Sequence, residues 1–288
     1  MNAHGQPTYK RQRYLLAFVS QLPGDGIRST YLQKLVFLNM METKLDYYDF
    51  IPYKYGPYSF QLAEDIDILL RDGFLVRGEK GLCSYSPQSE TSQFNIAIER
   101  GDALIRKAYR AYPYYSINSE IISRLFAPKE AQQFLRERNR YKQTDELLFT
   151  IGYEGRSVES FLNTLIQQDI HVLCDVRKNP ISRKFGFSKS KLQHMVEAIG
   201  IRYIHYPDLG IESEKRVSLS SEADYESLFS DYTESLPSKS YYLSKVYDLL
   251  KQNSRIALMC YEKDPKMCHR HVIRDYLVSH YPIRSYDL

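Results

Sequence analysis

The sequence predicts an α/β domain with a mainly parallel sheet, preceded by a smaller, mostly helical domain. Three observations predict it. After residue 145, short apolar runs alternate with amphipathic helical patterns, the rhythm of strands joined by crossover helices. Before residue 145, apolar residues recur mostly at helical spacing. The chain has 288 residues, which suits about two domains. The expected boundaries are 1–90 for the first domain, 91–144 for a helical linker and 145–288 for the α/β domain.

The elements follow in order. "QRYLLAFVSQL" carries a helical apolar face that stops at Pro23-Gly24. "STYLQKLVFLNMMETKL" buries Leu32, Leu35, Val36, Leu38 and Met40, and Ser29 or Thr30 is placed to cap it. A tyrosine-rich connection, "YDFIPYKYGPYSF", is broken by Pro52, Gly56 and Pro57. Ser59 is placed to cap the next helix, with core residues Leu62, Ile66, Leu69 and Leu70, and Gly73 suits its C′ position. "FLVRGEKGLCSYS" reads as two short strands around a tip at 78–81. Three helices and a hairpin in this order are those of a winged helix. Against DNA contact stand Glu64, Asp65 and Asp67 on the would-be recognition helix, where carboxylates repel phosphates. Basic residues lie instead at Lys34, Lys54, Arg77 and Lys80. A nucleic acid, a protein partner and self-association through this domain all stay open. The linker ends in a basic run at Arg136, Arg138, Arg140 and Lys142, a solvated face or a phosphate-contacting strap.

In the second half, "ELLFTIGYE", "HVLCDVR", "IRYIHYPDLG" and "RIALMCYE" read as four strands, with helices between and after them. Net charge is +4, which does not by itself indicate a nucleic-acid partner. No apolar stretch reaches the roughly 18 residues of a membrane span, and the start has no signal-peptide pattern. Four cysteines in a chain this long are no disulfide framework, so a reducing cytoplasm is the expected location.

In open parallel sheets, ligands bind beyond the carboxyl ends of the strands. Polar groups collect there after all four strands: Tyr153, Glu154 and Arg156; Asp175 and Arg177; Tyr206 and Asp208; Cys260, Glu262, Lys263, Cys268, His269 and Arg270. The stretch "RKNPISRKFGFSKSK" holds six basic residues, no acidic one and two interleaved phenylalanines, a composition suited to an anionic, base-bearing ligand. Ser188 or Ser190 is placed to cap the helix after it.

Three chemistries compete for Cys260–Arg270. Zinc would use Cys260, Cys268 and His269, but C-x7-C-H is not a standard zinc spacing, and no metal or cofactor is expected. A nucleophilic Cys268 at a helix start is the second. The third is acid–base work by Glu262, with Lys263, Arg177 and Arg270 as anion clamps. The plainest reading makes Cys260 a buried strand residue and Cys268 a helix-start residue.

"TIGYEGRSVESFLNTLI", "LCDVRKNPISRKFGFSKSKL", "GIRYIHYPDLG" and "LMCYEKDPKMCHRHVI", in this order over roughly residues 147–280, resemble a prokaryotic family numbered 488 among the domains of unknown function. The stretch around "YGPYS" similarly resembles winged-helix-type N-terminal domains of bacterial proteins. The first resemblance implies a Rossmann-like, three-layer fold with a site built from Asp175, Arg177, Ser182, Arg183, Cys260, Glu262, Lys263, Cys268, His269 and Arg270. The chain departs from the family at Ile211-Glu212, where further glycine is common. The expectation is an enzyme acting on a nucleic acid or nucleotide-like anion, by hydrolysis of a phosphodiester or N-glycosidic bond. Asp175, Glu262 and Cys268 are its candidate catalytic residues. Tyr153, Arg177, Ser182, Arg183, Lys263, His269 and Arg270 are its candidate substrate contacts. Two alternatives stand beside it: a non-enzymatic regulator whose α/β domain senses an anionic or thiol-reactive ligand, and thiol-based group transfer through Cys268.

Overall fold

Leucines and aromatics three and four residues apart make helices α1 (Lys10–Ser20) and α2 (Ser29–Thr43). The computed structural model to which they belong describes residues 6–22, 26–78, 83–85, 99–216 and 221–288. It divides into two units, residues 1–140 and 141–288. Leu32, Leu35, Val36, Leu38 and Met40 are buried as expected. The cap is not: Ser29 is already helical, Arg28 occupies the N-cap, and no side-chain cap bond forms.

The tyrosine-rich connection is a hairpin, with β1 (Ile51–Tyr53) antiparallel to β2 (Gly56–Tyr58). Its two prolines hid it, because proline has no N–H for a ladder. Here Pro52 and Pro57 oppose each other. Gly56 has φ 94°, and a Cβ there would collide with the Tyr109 ring. Helix α3 (Phe60–Arg71) starts where Ser59 accepts a bond from the Leu62 N–H at 3.1 Å, and Gly73 ends it at φ 76°. Strands β3 (Leu75–Arg77) and β4 (Cys83–Tyr85) pair antiparallel. Their expected tip falls largely on 79–82, outside the described residues, as do Pro23-Gly24 and Lys80.

The expected linker is helical, as α4 (Gly101–Ala111), α5 (Ile122–Leu125) and α6 (Pro128–Asn139), with residues 91–98 outside the described residues. It does not stand apart. Leu104, Ile105, Ala108, Tyr109, Leu125 and Phe134 enter one core with the buried faces of α1, α2 and α3. The apolar face of α4 has no other surface to bury against, so the segment belongs to the first unit.

Two charged residues of this unit that the sequence places on the surface are buried. Asp65 was expected on a surface facing phosphates, but it is fully buried. It accepts from Arg11 Nε at 2.6 Å, Gln12 Nε2 at 2.9 Å and the Tyr48 hydroxyl at 3.1 Å, tying α1 to α3. Lys34, also expected among the basic surface residues, is 1% exposed and has no polar partner among the described residues. Burial lowers its amine to about 7.

The second unit begins with β5 (Leu147–Gly152), α7 (Val158–Gln167), β6 (Val172–Asp175), α8 (Lys189–Ala198) and β7 (Arg202–His205). It continues with α9 (Glu222–Ser235), α10 (Ser240–Asn253), β8 (Arg255–Cys260), α11 (Arg270–His280) and β9 (Ser285–Asp287). The strands form one parallel sheet in the order β7-β6-β8-β5-β9. β9 is a fifth strand beyond the four expected. Three residues, "SYD", are too short and too polar to show alternation.

Leu148, Val172, Cys174, Ile256 and Leu258 share a core with α9, α10 and α11. The alternate residues Phe149, Ile151, Leu173, Ala257 and Met259 are buried too. Right-handed crossovers place α7 and α8 on that second face, since their connections run along the sheet in the opposite direction. The chain therefore leaves β8 toward one face and leaves its neighbours β5 and β6 toward the other. A crevice opens at such a reversal, beyond the carboxyl ends of the strands.

Lys34→Met tests the buried amine. The folded amine titrates near 7 and the unfolded one at 10.5, so the unfolded chain binds more protons in between. The penalty is complete below pH 7 and fades as pH rises toward 10.5. We expect the variant to raise the unfolding free energy at pH 6 by several kcal/mol, and by clearly less at pH 9. Urea denaturation at the two pH values measures this, and an equal gain at both would refute the assignment.

Candidate functional site

Each strand facing the crevice ends in a residue that the next turn depends on. β6 ends at Asp175, which is fully buried. Arg177, two residues on, folds back over it, with Nε at 2.9 Å and Nη2 at 2.6 Å from the two carboxylate oxygens. The Tyr203 hydroxyl adds a bond at 2.6 Å from β7. Arg177 Nη1 donates to the Tyr153 hydroxyl at 3.1 Å and to the Phe187 carbonyl at 2.9 Å. Four of the five guanidinium N–H groups are thereby used within the protein. Burial alone would lower the Arg177 guanidinium, but the hydrogen bonds and charge of Asp175 outweigh it and raise it. Burial, then the Asp175 charge, pushes Tyr203 upward.

This pair anchors both ends of the basic stretch. Phe187 stacks on Tyr153 with ring centroids 4.2 Å apart and an angle of 11°. Lys184 Nζ reaches the Tyr153 carbonyl at 3.3 Å. Burial lowers its amine, partly countered by Glu154. Ser188 takes the N-cap of α8, but no side-chain cap bond forms.

β8 ends at Cys260, buried as a strand residue. The turn after it is held from below by Arg270, which is fully buried. Arg270 donates to the Glu262 carbonyl at 2.6 Å, the Lys263 carbonyl at 3.0 Å and the Thr150 hydroxyl at 3.2 Å. β5 ends at Gly152, where any Cβ would collide with the Glu262 carbonyl, so glycine is what lets the two turns meet. The Glu154 N–H donates to the Tyr261 carbonyl at 2.8 Å, and Glu154 Oε2 accepts from the Lys263 N–H at 2.9 Å.

Between these turns lies a cavity of about 500 Å3. Of the residues expected at the site, Tyr153, Arg177, Ser182, Arg183, Glu262 and His269 line it, together with Cys260. Asp175, Lys263, Cys268 and Arg270 do not. Asp175 lies beneath Arg177 with its oxygens engaged, and Lys263 is exposed outside the cavity. Arg270 spends its donors on two carbonyls and the Thr150 hydroxyl. Cys268 is fully buried, and burial, then the neighbouring Cys260, pushes its thiol up to about 12. That is the opposite of an exposed, low-pKa nucleophile. Lys178, Asn179, Lys184 and Ile211 line the cavity as well. The lysines lay within the basic run that singled out this loop, whereas Ile211 carried no chemical signal.

Lys178, Arg183 and Lys184 put positive charge around the opening, and Glu262 is the only carboxylate among the lining residues. Arg183 is exposed and has no ion pair with a described side chain, while Lys178 pairs with Glu212 at 2.6 Å. Beneath Glu262, Cys260, Cys268 and His269 bring two sulfurs and a ring nitrogen within 4.8 Å of one another. The eight-residue cysteine spacing concealed this, because the turn at Pro265–Met267 folds Cys268 and His269 back under the end of β8.

A parallel α/β domain with a cationic cavity at the ends of its central strands is thus the class to which the second unit belongs. Residues 157–277 match the family model described as Domain of unknown function DUF488, so the C-terminal part of the chain carries a domain of that family. No curated protein and no solved structure gave a significant match.

Asp175→Asn leaves Arg177 buried without its counter-charge. We expect a loss of about 3–5 kcal/mol from the second unit, against about 1.5–3 kcal/mol for Tyr203→Phe, which removes one charge-assisted bond. Chemical denaturation of the full chain measures both, and a neutral Asp175→Asn would show that the pair is not the anchor.

Proposed function

We propose that the second unit is an enzyme that binds a nucleic acid or nucleotide-like anion and cleaves it hydrolytically, at a phosphodiester or N-glycosidic bond. The observation supporting this reading is the lining of the cavity: cations from one loop around a single half-buried carboxylate, Glu262. Arg183 and Lys184, with Lys178 at the edge, hold the anion and carry charge that builds on it. Glu262 moves the proton, taking it from the attacking water or giving it to the leaving group. Tyr261, exposed at the cavity, supplies aromatic surface beside the cations, where a base can stack. Arg177 borders the cavity, and Asp175 acts by holding it. The two alternatives lose ground for physical reasons. Thiol transfer needs an accessible Cys268, and a purely sensing domain has no need of a carboxylate among the cations.

The sheet with helices on both faces fits a Rossmann-like, three-layer domain, although the order β7-β6-β8-β5-β9 inserts β8 between β6 and β5. For the first unit we propose a winged-helix-type module that recruits or positions the substrate or a partner. Its order of α1, α2, α3 and the β3–β4 hairpin supports this, with the β1–β2 hairpin as an addition. Its basic surface is thinner than the sequence alone implied, since Lys34 is buried and Arg77 pairs with Asp67 at 3.6 Å. That favours a protein partner or self-association over phosphate contact. Among the described residues, no helix is long and apolar enough to cross a membrane.

Incubation with labelled nucleotides and single-stranded oligonucleotides tests the reading. Glu262→Gln is expected to lower kcat at least about a hundredfold with the fold intact. Arg183→Ala is expected to raise KM by roughly tenfold or more, as loss of a charge-assisted contact does. Turnover unchanged in Glu262→Gln would remove the residue from the mechanism.

A further inference from the structure

Cys260, Cys268 and His269 are all buried, and their donor atoms lie within 4.8 Å of one another. His269 Nε2 stands 2.9 Å from the Val176 carbonyl oxygen. A carbonyl only accepts, so Nε2 carries the proton and Nδ1 presents its lone pair. That lone pair faces both sulfurs, 3.8 Å from Cys260 Sγ and 4.0 Å from Cys268 Sγ. Glu262 Oε2 lies 3.5 Å from Cys260 Sγ on the cavity side. From these contacts we infer that Cys260, Cys268 and His269 are three ligands of a zinc ion whose fourth position opens to the cavity beside Glu262.

The distances suit this. Zinc bound at about 2.3 Å from sulfur and about 2.0 Å from nitrogen sets tetrahedral ligand–ligand edges of about 3.5–3.8 Å. The two sulfur–nitrogen separations need to close by only a few tenths of an ångström, and the two sulfurs, which lie within 4.8 Å, by at most about 1 Å. The ligand set is soft thiolate plus imidazole, which selects zinc over magnesium or calcium. The histidine is oriented as metal-bound histidines are, with its second nitrogen tied to a carbonyl of the neighbouring strand end. Buried sulfurs acting only as core filler need no such orientation from a ring nitrogen. Cys260 and His269 line the cavity and Cys268 does not. The ion would therefore sit in the cavity floor, with two ligands toward the opening and one behind. There it would supply a Lewis acid next to the cationic loop. This inference shares the cavity with the proposed reaction but does not depend on the substrate, because it is read from metal content alone.

The full chain purified in zinc-supplemented medium with a non-chelating reductant is expected to carry about one zinc per molecule by mass spectrometric metal analysis. Cobalt exchanged into the site should give intense visible bands of a tetrahedral centre and a thiolate-to-cobalt charge-transfer band in the near ultraviolet. Cys260→Ser, Cys268→Ser and His269→Gln should each lose the zinc and weaken those bands. Cys174→Ala and Glu262→Gln should keep both. Because a ligand variant can misfold, the wild-type cobalt spectrum decides independently. Substoichiometric zinc together with octahedral or absent cobalt bands would overturn the inference. So would peptide mapping that finds Cys260 and Cys268 joined as a disulfide in the native reduced preparation. Loss of turnover without loss of zinc would count against the proposed reaction and leave the metal site standing.

Discussion

The buried pair of Asp175 and Arg177 organises everything at the strand ends. Two charges removed from water are tolerable only when geometry and hydrogen bonds are complete. Here they are: two guanidinium contacts and a tyrosine hydroxyl on the carboxylate, and a phenol and a carbonyl on the remaining guanidinium donors. The pair joins four parts of the domain, the ends of β5 and β6, β7 and the turn before α8. It also decides which cations serve a ligand. Arg177 turns most of its charge inward, so the outward charge falls to Lys178, Arg183 and Lys184.

The second constraint is the position of β8 between β5 and β6. Its flanking connections leave on opposite faces, so the turn after Cys260 has open space on either side. Arg270 holds the backbone of that turn from beneath, and Gly152 leaves room for it from β5. Glu262 is thereby presented to the cavity by a rigid backbone rather than by a loose loop. Rigid support of this kind is what proton transfer requires of a carboxylate that works without rearrangement. The same turn carries Cys268 and His269 back under β8, so the proposed acid–base and metal-binding groups share one support.

Much of this was legible in the sequence, for identifiable reasons. β5, β6 and β8 are apolar runs buried on both faces, and such runs announce themselves. Ser59 and Gly73 marked the two ends of α3 because capping and positive φ demand those residue types. The basic loop was visible because six cations without a carboxylate are conspicuous. Other features depend on tertiary packing. The β1–β2 hairpin contains two prolines, and β9 has only three residues, so neither shows a strand pattern. Lys34 and Asp65 read as surface charges, since nothing local says that α2 and α3 are covered there. At the site, composition identified the right neighbourhood but could not sort its layers. Asp175, Cys268 and Arg270 are support beneath the cavity, whereas Arg183 and Glu262 face it. Only the fold separates a charged residue that meets a ligand from one that holds its neighbour.

The central claim is that the loop pinned by Asp175 and Arg177 forms an anion site facing Glu262. A crystal structure of the full chain soaked with a nucleoside monophosphate tests it most directly. The account predicts phosphate density within hydrogen-bond distance of Arg183 and Lys184, with the base against Tyr261 and Glu262 facing the ligand. A nucleotide bound only outside the cavity, with Arg183 and Lys184 untouched, would contradict it.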